Sequence, residues 1–169
     1  MKKYVFLAFF ALIAFVVKAQ DESGDLVKEG QQMPAFTIVN DNGTQVPSSS
    51  LKRKVILVNF FATWCPPCQK ELAEVQKMLW PKYKDNKDFV LLVIGREHTD
   101  VELQKYNEKK GFTFPLYPDK NRAIYGAFAK NLIPRSYLVD KTGKVVYAIK
   151  GYSDEEFAEL MKRIEAALK

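Results

Sequence analysis

Hydrophobic residues in this chain fall into runs and stripes whose spacing predicts most of its elements. An unbroken apolar stretch, YVFLAFFALIAFVV (4–17), gives way to a polar segment from Asp21 to Gln32. AFTIV (35–39) reads as a short strand, and NDNGTQ behind it as a turn built on Asn, Asp and Gly. PSSSLKRK (47–54) reads as a loop. VILVNFF (55–61) and FVLLVIG (89–95) are apolar without alternation, the pattern of strands buried on both faces of a parallel sheet.

Between those two strands a helix is expected from Pro66 or Pro67, because proline suits the first helical turn and CQKELAEVQKML has good helix formers. Leu72, Val75 and Leu79 lie at helical spacing, and Cys68 stands four residues before Leu72 on the same inward stripe. Pro81 is expected to end or kink this helix. Thr99 with Glu102 forms a capping box for a helix to Lys110, closed by Gly111. Residues 121–129 carry Ile124, Ala127 and Phe128 at helical spacing. RSYLVD (135–140), KTG and KVVYAIK (144–150) predict a hairpin, since so short a link permits no crossover. A second box, Ser153 with Glu156, opens a closing helix striped by Phe157, Leu160, Met161, Ile164 and Leu168. The order predicts one α/β domain, a mixed sheet covered by helices on both faces with an extra N-terminal strand.

The N-terminus alters the expected compartment. Met1-Lys2-Lys3 is basic, the apolar run follows, and Val17-Lys18-Ala19 places small residues before a cut that leaves Gln20 first. The run is shorter than the roughly 20 apolar residues that span a bilayer comfortably, so a cleaved signal peptide over 1–19 is expected rather than an anchor. No cysteine follows the run, which excludes lipid attachment at a new terminal Cys. A flexible leader over 20–32 and a domain over 33–169 complete the expected division. Three lysines of the +6 net charge lie in the signal segment, which leaves a mild +3 on the rest. Its dispersed lysines give nucleic-acid binding no support.

Both cysteines of the chain lie in FFATWCPPCQKEL (60–72). A Cys65–Cys68 disulfide closes too small a loop to restrain an unfolded chain much, so a staple is a weak reading. A metal clip needs about four ligands, and this chain has no second Cys pair and a single histidine, His98. A reactive dithiol needs only two sulfurs three positions apart at a helix start. There the unpaired N–H groups and the helix dipole favour a thiolate on an exposed Cys65, while Cys68 is shielded one turn inward. Cys65 then attacks and Cys68 resolves the mixed disulfide. Pro66 and Pro67 restrict the backbone between the sulfurs, and Pro66 has no N–H to offer the Cys65 thiolate. Trp64 is expected to flank the pair as a contact surface, Trp80 to belong to the core, and His98 to face solvent.

NFFATWCPPC before a helix resembles the active-site segment of the thioredoxin superfamily. With MPAFTI upstream and GFTFPLYPD downstream, WCPPC is similar to the TlpA/ResA-like exported thiol–disulfide oxidoreductases, and the resemblance runs from about Met33 to Lys169. It implies a thioredoxin-like fold and a cis peptide bond at Ile133-Pro134, with Ile133 presenting its backbone to a substrate peptide. It implies no cofactor, a periplasmic location, reduction of disulfides in exported proteins such as apocytochrome c, and a membrane electron donor. Many thioredoxins bury an Asp in the strand before the motif. Asn59 stands there and cannot titrate, so Glu97, after the second core strand, is the candidate for proton transfer.

Two other functions share these motifs. A peroxiredoxin-like peroxidase fits GQQMPAFTIVNDNG, although Thr63 stands two residues before Cys65 rather than three and no proline occupies the required place. A copper chaperone on the same fold uses two thiolates and a histidine, soft ligands suited to copper, although the cysteine spacing here is one residue short of that pattern.

Overall fold

A computed structural model describes residues 24–40 and 42–169 of the chain. The expected signal peptide therefore lies outside the described residues. Five strands form the central sheet: β3 (Val55–Phe61), β4 (Phe89–Arg96), β5 (Leu116–Asp119), β6 (Arg135–Val139) and β7 (Val145–Lys150). Their order is β5-β4-β3-β6-β7. β3, β4 and β5 run parallel, and β6 and β7 each pair antiparallel with the preceding strand of that order. All seven side chains of β3 are buried, as its unalternating sequence requires of a central strand.

Alternation along β3 divides the interior in two. Val55, Leu57 and Phe61 face α1 (Pro66–Glu74), α3 (Asp100–Lys110) and α5 (Asp154–Leu168), where Leu72, Leu103 and Leu160 fill the layer. Ile56, Val58 and Phe60 face α4 (Ala123–Phe128), where Phe60 packs on Tyr125 and Phe128. Helices thus cover both faces, as the patterning predicts. The N-terminal strand β1 (Thr37–Val39) does not join the sheet. It pairs with β2 (Gln45–Pro47) in a separate two-stranded ribbon laid on the α4 side, where Ile38 is buried. Neither β2 nor β5 is visible in the hydrophobic pattern, because each is short and carries a proline. Proline is tolerated in β5 because that strand lies at the sheet edge.

The helix after the cysteines runs past Pro81. A π turn over Val75–Leu79 widens the spiral, with Trp80 N–H donating to the Val75 carbonyl five residues back, and α2 (Trp80–Tyr83) continues beyond it. The wide turn accommodates a proline ring that a regular α-turn would exclude. Trp80 packs edge-on to Phe114 against the core, as expected. Thr99 and Glu102 form both halves of their capping box, and Gly111 closes α3 at φ +67°. At α4 the cap is Asp119, whose carboxylate accepts from Ile124 and Tyr125 N–H at 3.0 and 2.8 Å.

Residues 24–32, expected to lead loosely into the domain, are strapped onto it. Val27 is buried, Leu26 and Val27 N–H groups donate to the Phe128 carbonyl, and Gly30 N–H donates to the Val145 carbonyl. Asp25 pairs with Arg135, which is fully buried beside Pro134. A buried guanidinium requires an anion, and the polar composition of this segment supplies one. Deleting residues 1–32 is therefore expected to cost at least about 2 kcal/mol relative to deleting 1–23, through lost Val27 burial and an orphaned arginine. Equal urea midpoints for the two truncations would show that the strap adds nothing to the fold.

Candidate functional site

β3 ends at Phe61, and the chain turns through Ala62, Thr63 and Trp64 before α1 begins. Cys65 is the N-cap of α1, with Pro66 and Pro67 at the first two helical positions. Proline suits these places because its missing N–H would have had no helical partner. The first free amide of the helix belongs to Cys68, and it donates to Cys65 Sγ at 3.3 Å. The same N-terminus stabilises negative charge on that sulfur when the pair is reduced.

Cys65 and Cys68 are joined in a disulfide. Cys68 is fully buried on the stripe with Leu72, as its spacing predicts. Cys65 departs from expectation: it is only 4% exposed, a narrow opening rather than an open thiol. The reason is the opposing loop. The Ile133–Pro134 bond is cis, and the Ile133 carbonyl oxygen lies 3.9 Å from Cys65 Sγ. Gly151 N–H donates to the Pro134 carbonyl, and Tyr125 OH donates to that of Leu132, so this loop is held on both sides. Trp64, by contrast, is 63% exposed beside the pair, with the Arg96 guanidinium over its ring.

Glu97 takes a different place from the one expected. It is half exposed, adopts φ +64°, and pairs with Arg96 at 3.0 Å. The buried carboxyl beside the pair in the chain is Glu71, one helical turn beyond Cys68 on α1. Ser136 Oγ donates to Glu71 Oε1 at 2.9 Å, Asn59 Nδ2 donates to Ser136 Oγ at 2.9 Å, and Glu71 Oε2 has no partner. Burial pushes the Glu71 carboxyl up to about 7, and hydrogen bonding from Asn59 and Ser136 offsets only part of that rise. Asn59 thus serves here as an anchor for a titrating group supplied by the helix. The sequence carried one usable signal: Glu71 follows Cys68 by three residues, which places it near the inward stripe.

His98 is likewise corrected. It is buried rather than solvent-facing, and its Nε2 accepts from Thr63 N–H at 3.0 Å. Among the described residues, no cluster of three or more His, Cys, Asp or Glu side chains is arranged to hold a metal ion. No helix among them is long and apolar enough to cross a membrane.

Comparison with known proteins places this geometry among relatives. The Redoxin family model matches residues 28–165. The thiol-disulfide oxidoreductase ResA of Bacillus thuringiensis (strain Al Hakam) is 34% identical over 130 residues, covering 77% of this chain and 74% of that protein. Its Bacillus subtilis (strain 168) counterpart is 26% identical over 129 residues, covering 76% and 71%. Among solved structures, a Bacteroides thetaiotaomicron protein with a provisional disulfide-isomerase name superposes with TM-score 0.82 and 37% identity, over 86% of this chain and 92% of that one. A thioredoxin-family thiol:disulfide interchange protein from Chlorobium tepidum gives 0.68 and 26%, over 85% and 99%.

Because the folded carboxyl of Glu71 titrates near 7 against 4.5 when exposed, its stabilising contribution is complete below about pH 4.5 and is lost as pH rises through 7. Glu71→Gln is expected to remove that loss, gaining about 3 kcal/mol over wild type at pH 8 and little at pH 4. Urea unfolding of both oxidised proteins at the two pH values checks it; parallel pH dependences would place Glu71 in a solvated site.

Proposed function

This chain belongs to the Redoxin family, and from that premise we propose that its Cys65–Cys68 pair reduces disulfides in exported proteins. The chain is a thiol–disulfide oxidoreductase of the ResA type. The observation that carries the mechanism is the placement of Cys65 Sγ between a helix N-terminus and the backbone of the Ile133–Pro134 loop.

In the reduced protein, the α1 N-terminus favours the Cys65 thiolate, which attacks one sulfur of a substrate disulfide and displaces the other as a thiolate that takes up a proton. The Ile133 carbonyl offers the incoming chain a strand-like hydrogen bond, and exposed Trp64 offers it an apolar face. Cys68 then gives its proton to the Glu71 carboxylate and attacks Cys65 Sγ. The substrate leaves with two thiols, and this protein keeps the disulfide with two electrons removed. A group titrating near 7 suits that transfer at neutral pH.

The basic start and apolar run at the N-terminus support export to the periplasm by a cleaved signal. Disulfides persist in such a compartment, so a reductant there needs a dithiol donor on the membrane to restore its own thiols.

Cys68→Ser is expected to retain substrates on Cys65 as mixed disulfides in cells, identifiable by mass spectrometry, while Cys65→Ser retains none. An empty trap with Cys65 inert to thiol reagents would overturn the mechanism. The pair is also expected to equilibrate near the thioredoxin potential of about −270 mV, and a value near −120 mV would make the protein an oxidant instead.

A further inference from the structure

The corner that carries Trp64 and Cys65 is held by two side chains at one residue. Thr63 N–H donates to His98 Nε2 at 3.0 Å, and the Thr63 carbonyl accepts from Gln69 Nε2 at 2.8 Å. Gln69 is braced in turn by Lys110 Nζ at 3.0 Å on its Oε1. His98 reaches the corner from the β4–α3 link, which is why a sequence separation of 35 residues hides the contact. Its ring is buried and lies 6.4 Å from that of Phe61.

Nε2 accepts only while it carries no proton. The tautomer with the proton on Nδ1 is therefore the one that holds Thr63, and Nδ1 faces Glu102 Oε2 at 3.8 Å. Protonation would turn Nε2 into a donor aimed at another donor. The charged groups around the ring are Glu102 on α3 and Glu97 and Arg96 at the end of β4, while Phe61 and Thr63 on the other side carry no charge. Burial lowers the His98 pKa from its ordinary value, and the two glutamates pull it partly back.

We propose that His98 is a positioning residue for the reaction assigned above: neutral, it fixes the Ala62–Cys65 corner, and protonated it releases the corner and widens access to Cys65. Access is the quantity at stake because Cys65, carried by that corner, is almost covered under the Ile133–Pro134 loop, and a freed corner lets it move out from there. The latch is closed at neutral pH and opens as pH falls through the lowered His98 pKa. The inference rests on the exchange reaction proposed for Cys65, but the latch has a readout that needs no substrate.

The test uses oxidised wild type, His98→Gln and His98→Ala. Glutamine keeps an acceptor within reach of Thr63 and does not titrate. By NMR, the Thr63 amide resonance of wild type is expected to move as pH falls from about 8 to about 5, with a midpoint below that of an exposed histidine, and to stay still in His98→Gln. Thr63 amide exchange is expected to be about two- to tenfold faster in His98→Ala than in His98→Gln, the worth of one hydrogen bond. Over the same pH range, the rate at which a phosphine reduces the disulfide, expressed as wild type over His98→Gln, is expected to rise by a similar factor. A Thr63 resonance that ignores pH, one that moves equally in His98→Gln, or a flat rate ratio would each overturn the latch. A titrating amide and rising ratio in a protein that exchanges with no protein disulfide would uphold the latch and remove the proposed function instead.

Discussion

A strand that ends on the sheet and a helix that begins on the next turn leave one short corner, and the site depends on how it is closed. Cys65 sits at the cap position because two prolines behind it forgo their amides, leaving the Cys68 amide to point back at its sulfur. The corner cannot lie flat without its own backbone groups finding partners. Cys65 N–H turns back to the Ala62 carbonyl, and both backbone groups of Thr63 are taken by side chains from elsewhere. One covalent pair is thus held by a ring of hydrogen bonds, most of them local to the corner and α1 and one reaching it from the β4–α3 link.

Beneath that corner runs a buried polar column from Asn59 on β3 through Ser136 on β6 to Glu71 on α1. A carboxyl in such surroundings titrates well above its exposed value, because removing it from water penalises the charged form more than two neutral hydrogen-bonding neighbours repay. Helix and sheet share this group, so its protonation bears on the stability of the domain.

The cis loop opposite is equally built from a distance. Arg135 follows Pro134 directly and is fully buried, with its guanidinium on the Asn131 carbonyl and on Asp25 of the N-terminal strap. The polar stretch before the domain therefore supports the loop that faces Cys65, across a separation of 110 residues.

Elements written in local spacing were legible from the chain alone. The unalternating β3 and β4, the prolines at the start of α1, the Thr99–Glu102 box, the β6–β7 hairpin and the inward stripe that buries Cys68 all depend on neighbours within a few positions. Two loop residues depart from their sequence reading in opposite senses, because whether a loop side chain turns inward depends on partners that local spacing does not show. His98 is buried because Thr63 supplies a donor for it, and Glu97 stays outside because Arg96 holds it there. Glu71 is not legible in the sequence because its titration is set by burial, and the residues it meets there, Asn59 and Ser136, stand 12 and 65 positions away. The sequence by itself determined where a dithiol stands and which sulfur lies inward, since a helix start and a 3.6-residue period are local facts. Only the tertiary structure decided how far Cys65 is covered and which carboxyl and imidazole attend it, because burial and desolvation arise where distant segments meet.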